Sequence, residues 1–142
     1  MRISDLLRNK GSDVATVGPA ASVAELVEAL AHHNVGALVV VDDDAVVGIV
    51  SERDIVRQLR ARGAELLGAQ VSEIMTADVV TCGPPDSLDS IAQTMTERRI
   101  RHMPVVEDGR LTGIISIGDV VKSRISQLES DREQLESYIA RG

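Results

Sequence analysis

Apolar residues along this chain follow two spacings. Val23, Leu26, Val27 and Leu30 fall at helical intervals behind Ser22, and Leu88, Ile91 and Met95 do so behind Ser87. Each serine is therefore expected to N-cap an amphipathic helix. Elsewhere the apolar runs are short and unbroken. Ala37–Val41 and Val46–Val50 flank Asp42-Asp43-Asp44, while Met103–Val106 and Leu111–Ile115 flank Glu107-Asp108-Gly109, so each pair predicts a hairpin on an acidic or Gly-containing turn. Val14–Val17 and Val79–Cys82 predict shorter strands, closed by Gly18-Pro19 and Gly83-Pro84. Short helices are expected at Ile3–Leu7 and Val71–Met75, and further helices begin near Asp54 and Asp119.

This order is written twice. Gly48-Ile49-Val50-Ser51-Glu52-Arg53-Asp54 returns 65 positions later (48 to 113) as Gly113-Ile114-Ile115-Ser116-Ile117-Gly118-Asp119. Thr16, Gly18, Pro19 and Ser22 find Thr81, Gly83, Pro84 and Ser87 at the same offset. The opening helices match at an offset of 68 (3 to 71), which gives the first copy three extra residues near Lys10-Gly11-Ser12. A period of this length marks a duplicated structural module. The expected fold is α/β: two helix–strand–helix–strand–strand–helix repeats packed sheet to sheet with pseudo-two-fold symmetry, leaving related clefts between them. Repeat one spans 1–65, repeat two 66–125, and a helical extension 126–142.

Composition narrows the chemistry. The chain has 142 residues, of which 44% are hydrophobic, but one Tyr and no Phe or Trp, so its core is aliphatic and stacking rings are nearly absent. A formal charge of −7 argues against a nucleic-acid partner, which requires a basic surface. The lone Cys82 excludes an intramolecular disulfide and fits a reducing compartment. No apolar run approaches a membrane span and Met1-Arg2-Ile3-Ser4 opens no apolar signal segment; a cytoplasmic protein without membrane contact is expected.

The repeated heptapeptide supports two readings. Ser-x-x-Asp ahead of an apolar run is a helix capping box, with the carboxylate complementing the helix dipole. The same parts also form a ligand site. A Gly inside a strand allows close approach by another group, a helix N-terminus with an oriented hydroxyl suits an anion, and the carboxylate accepts hydrogen bonds from a diol. A ligand bearing both phosphate and ribose would use all of them.

Architecture and motif together resemble the tandem CBS-domain pair, or Bateman module, over about residues 1–125. The resemblance implies adenine-nucleotide binding (AMP, ADP, ATP or an NAD-type ligand), with Asp on the ribose and Ser near the phosphate. It implies two sites, each combining one repeat's motif with strands of the other. The first would join Ile49, Ser51, Arg53 and Asp54 to Val79, Val80, Arg101, His102, Met103 and Pro104. There Arg53 and Arg101 would hold phosphate with charge-assisted bonds, and Met103 and Val80 would sandwich the adenine. The second would join Ile114, Ser116 and Asp119 to Lys10, Val14, Ala15, Gly36, Ala37 and Leu38. It departs from the first, with Val39 where Pro104 stands and Gly36-Ala37 for Arg101-His102, leaving phosphate to Lys10 and Lys122.

Other features are secondary. Arg98-Arg99-Ile100-Arg101-His102 is the one basic cluster, either a solvated helix end or, at Arg101, a phosphate contact. His32-His33 reads as a helix end, because adjacent His without Cys or carboxylate at ligand spacing make a poor metal pair. From Val121, apolar residues at Ile125, Leu128, Leu135 and Ile139, with Arg132 in the missing heptad place, predict a helix of about 20 residues with a seam. That seam lies on its own domain or packs on a partner, and the family resemblance favours a homodimer. No catalytic motif stands out, so the expected protein is not an enzyme and requires no cofactor. It is a sensor whose output passes to an unknown effector protein, or else a ligand-free dimerisation scaffold in which Ser-x-x-Asp only caps helices.

Overall fold

The computed structural model describes residues 1–11 and 13–141. Ser12, in the three-residue insertion, lies outside them. Elements follow the order α1 (Ile3–Lys10), β1 (Thr16–Val17), α2 (Val23–His33), β2 (Ala37–Asp42), β3 (Ala45–Ser51) and α3 (Glu52–Arg62). Two 3-10 turns, Gly63–Gly68 and Val71–Glu73, lead to α4 (Leu88–Arg98), β4 (His102–Glu107), β5 (Arg110–Ser116) and α5 (Ile117–Arg141).

The capping and turn chemistry is as expected. Ser22 Oγ accepts from Glu25 N at 3.1 Å and Ser87 Oγ from Ser90 N at 3.1 Å, while α2 and α4 close on left-handed Asn34 and Arg99. The hairpins turn through Asp43-Asp44 and Asp108-Gly109, all at positive φ, the backbone that matches the twist of flanking strands. Three strands form the first sheet in the order β1-β2-β3, with β1 parallel to β2; β4 and β5 form the second, and the sheets meet through β3 and β5.

Three expectations need correction. Val79–Cys82 does not form a strand: only Cys82 pairs, through Cys82 N→Pro104 O (3.0 Å) and Val106 N→Cys82 O (2.8 Å). The next bond of a parallel ladder would need an amide from Pro104, which has none. Val39 stands there in the first copy, and pairing extends to Thr16. Val71–Met75 forms only the 3-10 turn Val71–Glu73, because Thr76 is drawn into paired bonds with Ile49 (Thr76 N→Ile49 O, 2.9 Å; Ile49 N→Thr76 O, 3.0 Å). Conversely α1 outruns Leu7 and reaches Lys10.

The opening segments cross over. Ile3 is fully buried among Cys82, Leu88, Ile91, Met95, Met103, Val105 and Ile115 of the second repeat. Leu66, Ala69, Val71 and Ile74 are buried among Val23, Leu26, Leu30, Leu38, Val40 and Val50 of the first. Matching backbone bonds fix both exchanges: Ile3 N→Asp86 O at 2.9 Å, and Val71 N→Ala21 O at 2.8 Å.

Candidate functional site

Each motif sits where a sheet strand turns into a helix. Ser51 N donates to Asp54 Oδ2 at 2.8 Å and Ser51 Oγ to the same atom at 3.1 Å; Ser116 N and Ser116 Oγ each reach Asp119 Oδ2 at 2.9 Å. Both copies are therefore capping boxes. The first helical amides are also taken, Glu52 N by Gly36 O (2.9 Å) and Ile117 N by Arg101 O (2.8 Å). One amide of each helix N-terminus that the sequence offered to an anion is thus already paired. In both aspartates Oδ1 accepts no hydrogen bond among the described residues, which leaves one oxygen for an incoming donor.

The motif glycines answer to protein rather than ligand. A Cβ on Gly48 would meet Met75 Sδ at 2.5 Å and Thr76 O at 3.1 Å, and one on Gly113 would meet Leu7 Cδ2 at 2.7 Å. The close approach foreseen from sequence is made by the opening segment of the neighbouring copy.

A cleft of about 140 Å³ opens beside Asp54. Ile49, Ser51, Asp54, Val79, Val80, Arg101 and His102 line it, as the sequence expected for the first site. Arg53 is exposed outside this wall, and Met103 and Pro104 are buried, Met103 as part of the second core, so the apolar lining of the cleft comes from residues such as Ile49, Val80 and Ile100 and not from Met103. Val50, Thr76, Asp78 and Ile100 complete the wall and were not foreseen; Ala37, assigned to the other site, also lines this one. Asp78 had one sequence signal: with Val79 it repeats Asp13-Val14 at the 65-residue offset. Burial holds the His102 imidazole below its ordinary pKa, aided by the charges of Lys10 and Arg101 and opposed by Asp119 and Glu52. It is therefore a neutral partner at pH 7 and adds no charge to a phosphate contact.

The residues expected at the second site are spread over several depressions. Val14 lines a groove with Asp13, Asp44 and Arg110; Gly36 lines one between α2 and α3; and Lys10 and Asp119 line one between α1 and α5, where Lys122 also lies. Ile114 is half-buried, Leu38 is in the first core, and Ala15 packs against that core. Lys10 Nζ donates to Ile114 O at 2.7 Å and to Asp119 Oδ2 at 2.5 Å. Burial would raise the Asp119 pKa, but hydrogen bonds from Lys10 and Ser116 outweigh it and hold the carboxyl below its ordinary value.

Elsewhere Cys82 is buried and its thiol is pushed up to about 12, chiefly by burial and then by the charge of Asp86. His32 and His33 meet edge to face at the end of α2. Among the described residues, no helix is long and apolar enough to cross a membrane.

Two strand–Ser-x-x-Asp–helix units, joined through their sheets with a cleft beside the first motif, define a tandem-repeat α/β module. The chain belongs to the CBS-domain family: the sequence profile of the CBS domain matches residues 3–61 and 71–126. The solved CBS-domain containing protein ATU1752 from Agrobacterium tumefaciens is 49% identical, superposes with a TM-score of 0.84, and is matched over 87% of this chain and 99% of that one. The CBS domain pair of protein MJ0100, in complex with 5′-methylthioadenosine and S-adenosyl-L-methionine, is 28% identical with a TM-score of 0.77 over 86% of this chain and 98% of its own. The mitochondrial CBS domain-containing protein CBSX3 of Arabidopsis thaliana is 34% identical over 151 aligned residues, which span 99% of this chain and 72% of that protein.

Proposed function

We propose that the chain is a non-catalytic regulatory module that binds an adenine nucleotide or related adenosine ligand beside Asp54. The carrying observation is that one wall brings Ser51 and Asp54 together with Val79, Val80, Arg101 and His102 of the other repeat. Asp54 Oδ1 receives the ribose hydroxyls, Ile49, Val80 and Ile100 cover the base, and Arg101 meets the phosphate. At about 140 Å³ the cleft is below the roughly 300–1,000 Å³ of an ordinary ligand pocket. It therefore encloses only the nucleoside, and the rest of the ligand lies at the rim. The adenosine ligands of the MJ0100 pair support that chemical class.

Signalling follows through a homodimer. Val56 and Leu59 on α3, and Val121, Ile125, Leu128, Leu135 and Ile139 on α5, are 48–73% exposed. The α5 seam does not lie on its own chain, and we assign it to a second copy. A ligand that prefers one dimer geometry shifts the population, and a separate effector, in a reducing cytoplasmic setting, reads the change. Calorimetry with AMP, ADP, ATP, NAD(H), S-adenosylmethionine and methylthioadenosine tests the reading. Binding by at least one, abolished in Asp54→Ala, is expected; failure of all six to bind would overturn it.

The capping boxes favour a second reading, a ligand-free scaffold. It predicts that Asp54→Ala lowers stability by about 1 kcal/mol, the ordinary value of a lost cap, with no ligand effect at all.

A further inference from the structure

We propose that Lys10 is a built-in occupant of the second motif, so that the chain takes its ligand at Asp54 and not at Asp119. The inference rests on the proposed ligand reading for its consequence, but its geometry stands apart from it. The two Ser-x-x-Asp units share their serine-to-aspartate bonds, which differ by no more than 0.2 Å; the second adds Asp119 N→Ser116 Oγ at 3.1 Å. What faces them differs. Ile49 O accepts from the Thr76 backbone amide, and Asp54 has no cationic partner among the described residues. Ile114 O and Asp119 Oδ2 both accept from the Lys10 ammonium, 104 and 109 residues away in sequence.

The insertion explains the difference. In the second copy the opening turn ends at Glu73, and the chain extends so that Thr76 pairs with Ile49. In the first, α1 continues to Lys10 before stopping at Gly11, whose φ is +96°. The extra turn carries a cation onto the motif; the other copy lacks that turn, and Asp78 of its opening segment lines the Asp54 cleft. A lysine ammonium supplies three N–H donors and no acceptor, which suits a carboxylate and a strand carbonyl together. It bonds Oδ2 and leaves Oδ1 without a partner, so it opposes a ligand by neutralising the carboxylate and filling the space beside it, at the high effective concentration of an intramolecular group. The ion pair is partly covered, with side-chain exposures of 33% and 22%, which shields it from screening.

The sequence alone suggested the opposite role, a Lys10 contact to ligand phosphate, and the two roles differ in sign. Equilibrium dialysis with AMP should give one ligand per wild-type chain and none for Asp54→Ala. Adding Lys10→Met, which keeps the aliphatic stem, should restore one site with at least about tenfold tighter binding than Asp54→Ala alone, and a further Asp119→Ala should abolish it. Two AMP per wild-type chain, or no restored site when wild type does bind, overturns the occupant role. If wild type binds no AMP, the Asp54 reading fails for that ligand, and nitrogen-15 NMR of the lysine ammonium decides Lys10 separately. A slowly exchanging Nζ signal lost in Asp119→Asn supports the occupant; its absence in wild type overturns it.

Discussion

Gly48 lies directly beneath Met75, close enough that a methyl group at Gly48 would stand 2.5 Å from the thioether sulfur. The flexible Met75 can give way, but the Thr76 carbonyl, 3.1 Å from the same point, is backbone held by two bonds to Ile49. Gly48→Ala is therefore expected to cost roughly 1–3 kcal/mol, the range for overpacking. Gly113→Ala should cost less, because it meets only the end of the Leu7 side chain. Urea midpoints at unchanged m-value measure both; equal losses would contradict the role given to the Thr76 carbonyl.

Protonation of His102 should weaken the fold. Folding lowers its pKa, by burial first and then by Lys10 and Arg101, so the unfolded chain takes up a proton first as pH falls. The stability contribution is whole above the ordinary value of 6.5 and is lost as pH drops from there through the native pKa. His102→Gln should remove that slope. Thermal melts of both proteins between pH 7.5 and 5 are the check, and parallel curves would refute the assignment.

Arg101 should discriminate among ligands rather than set affinity for all. It is the guanidinium of a wall that also carries Asp54 and Asp78. Arg101→Gln is expected to weaken AMP by about tenfold or more, the worth of a charge-assisted bond, while leaving methylthioadenosine, which has no phosphate, unchanged. Equal losses for both would move Arg101 from phosphate to base or sugar.

The last half of α5 should matter to assembly and not to the fold. Residues 124–141 of this helix are exposed, and its side-chain bonds beyond Arg124 are local pairs such as Arg132–Glu136. Deleting 127–142 should lower the mass measured by light scattering toward that of one chain without loss of a cooperative melt. A dimer unchanged in affinity would remove the seam from the interface.

Much of the fold was legible because its signals are local. Serine caps, helical spacing and turn residues at Asp43-Asp44 and Asp108-Gly109 each act within a few residues, and the 65-residue repeat ties the copies together. The wall of the first cleft was legible at its motif, which the repeat marks, and at Arg101-His102, which the repeat does not share, through the family resemblance alone. What escaped was set by distant partners. The Val79–Cys82 strand fails on a missing amide at Pro104, Met103 turns into the core, and Asp78 reaches the cleft because the chain is pulled straight at Thr76. Lys10 was placed at the second motif by sequence, but its bond to Asp119 spans 109 residues and was not legible there.

The exchange of Ile3 and Val71 has a consequence for how such a chain can come apart or come into being. Cut between the repeats, the first half keeps α1 but loses the residues that cover its own core; the second keeps the turn that fits its neighbour and leaves the pocket for Ile3 open. Neither half is whole, so the two must melt together as one unit. A lone copy would satisfy itself only by trading opening segments with a twin, an arrangement that joining two copies end to end makes permanent.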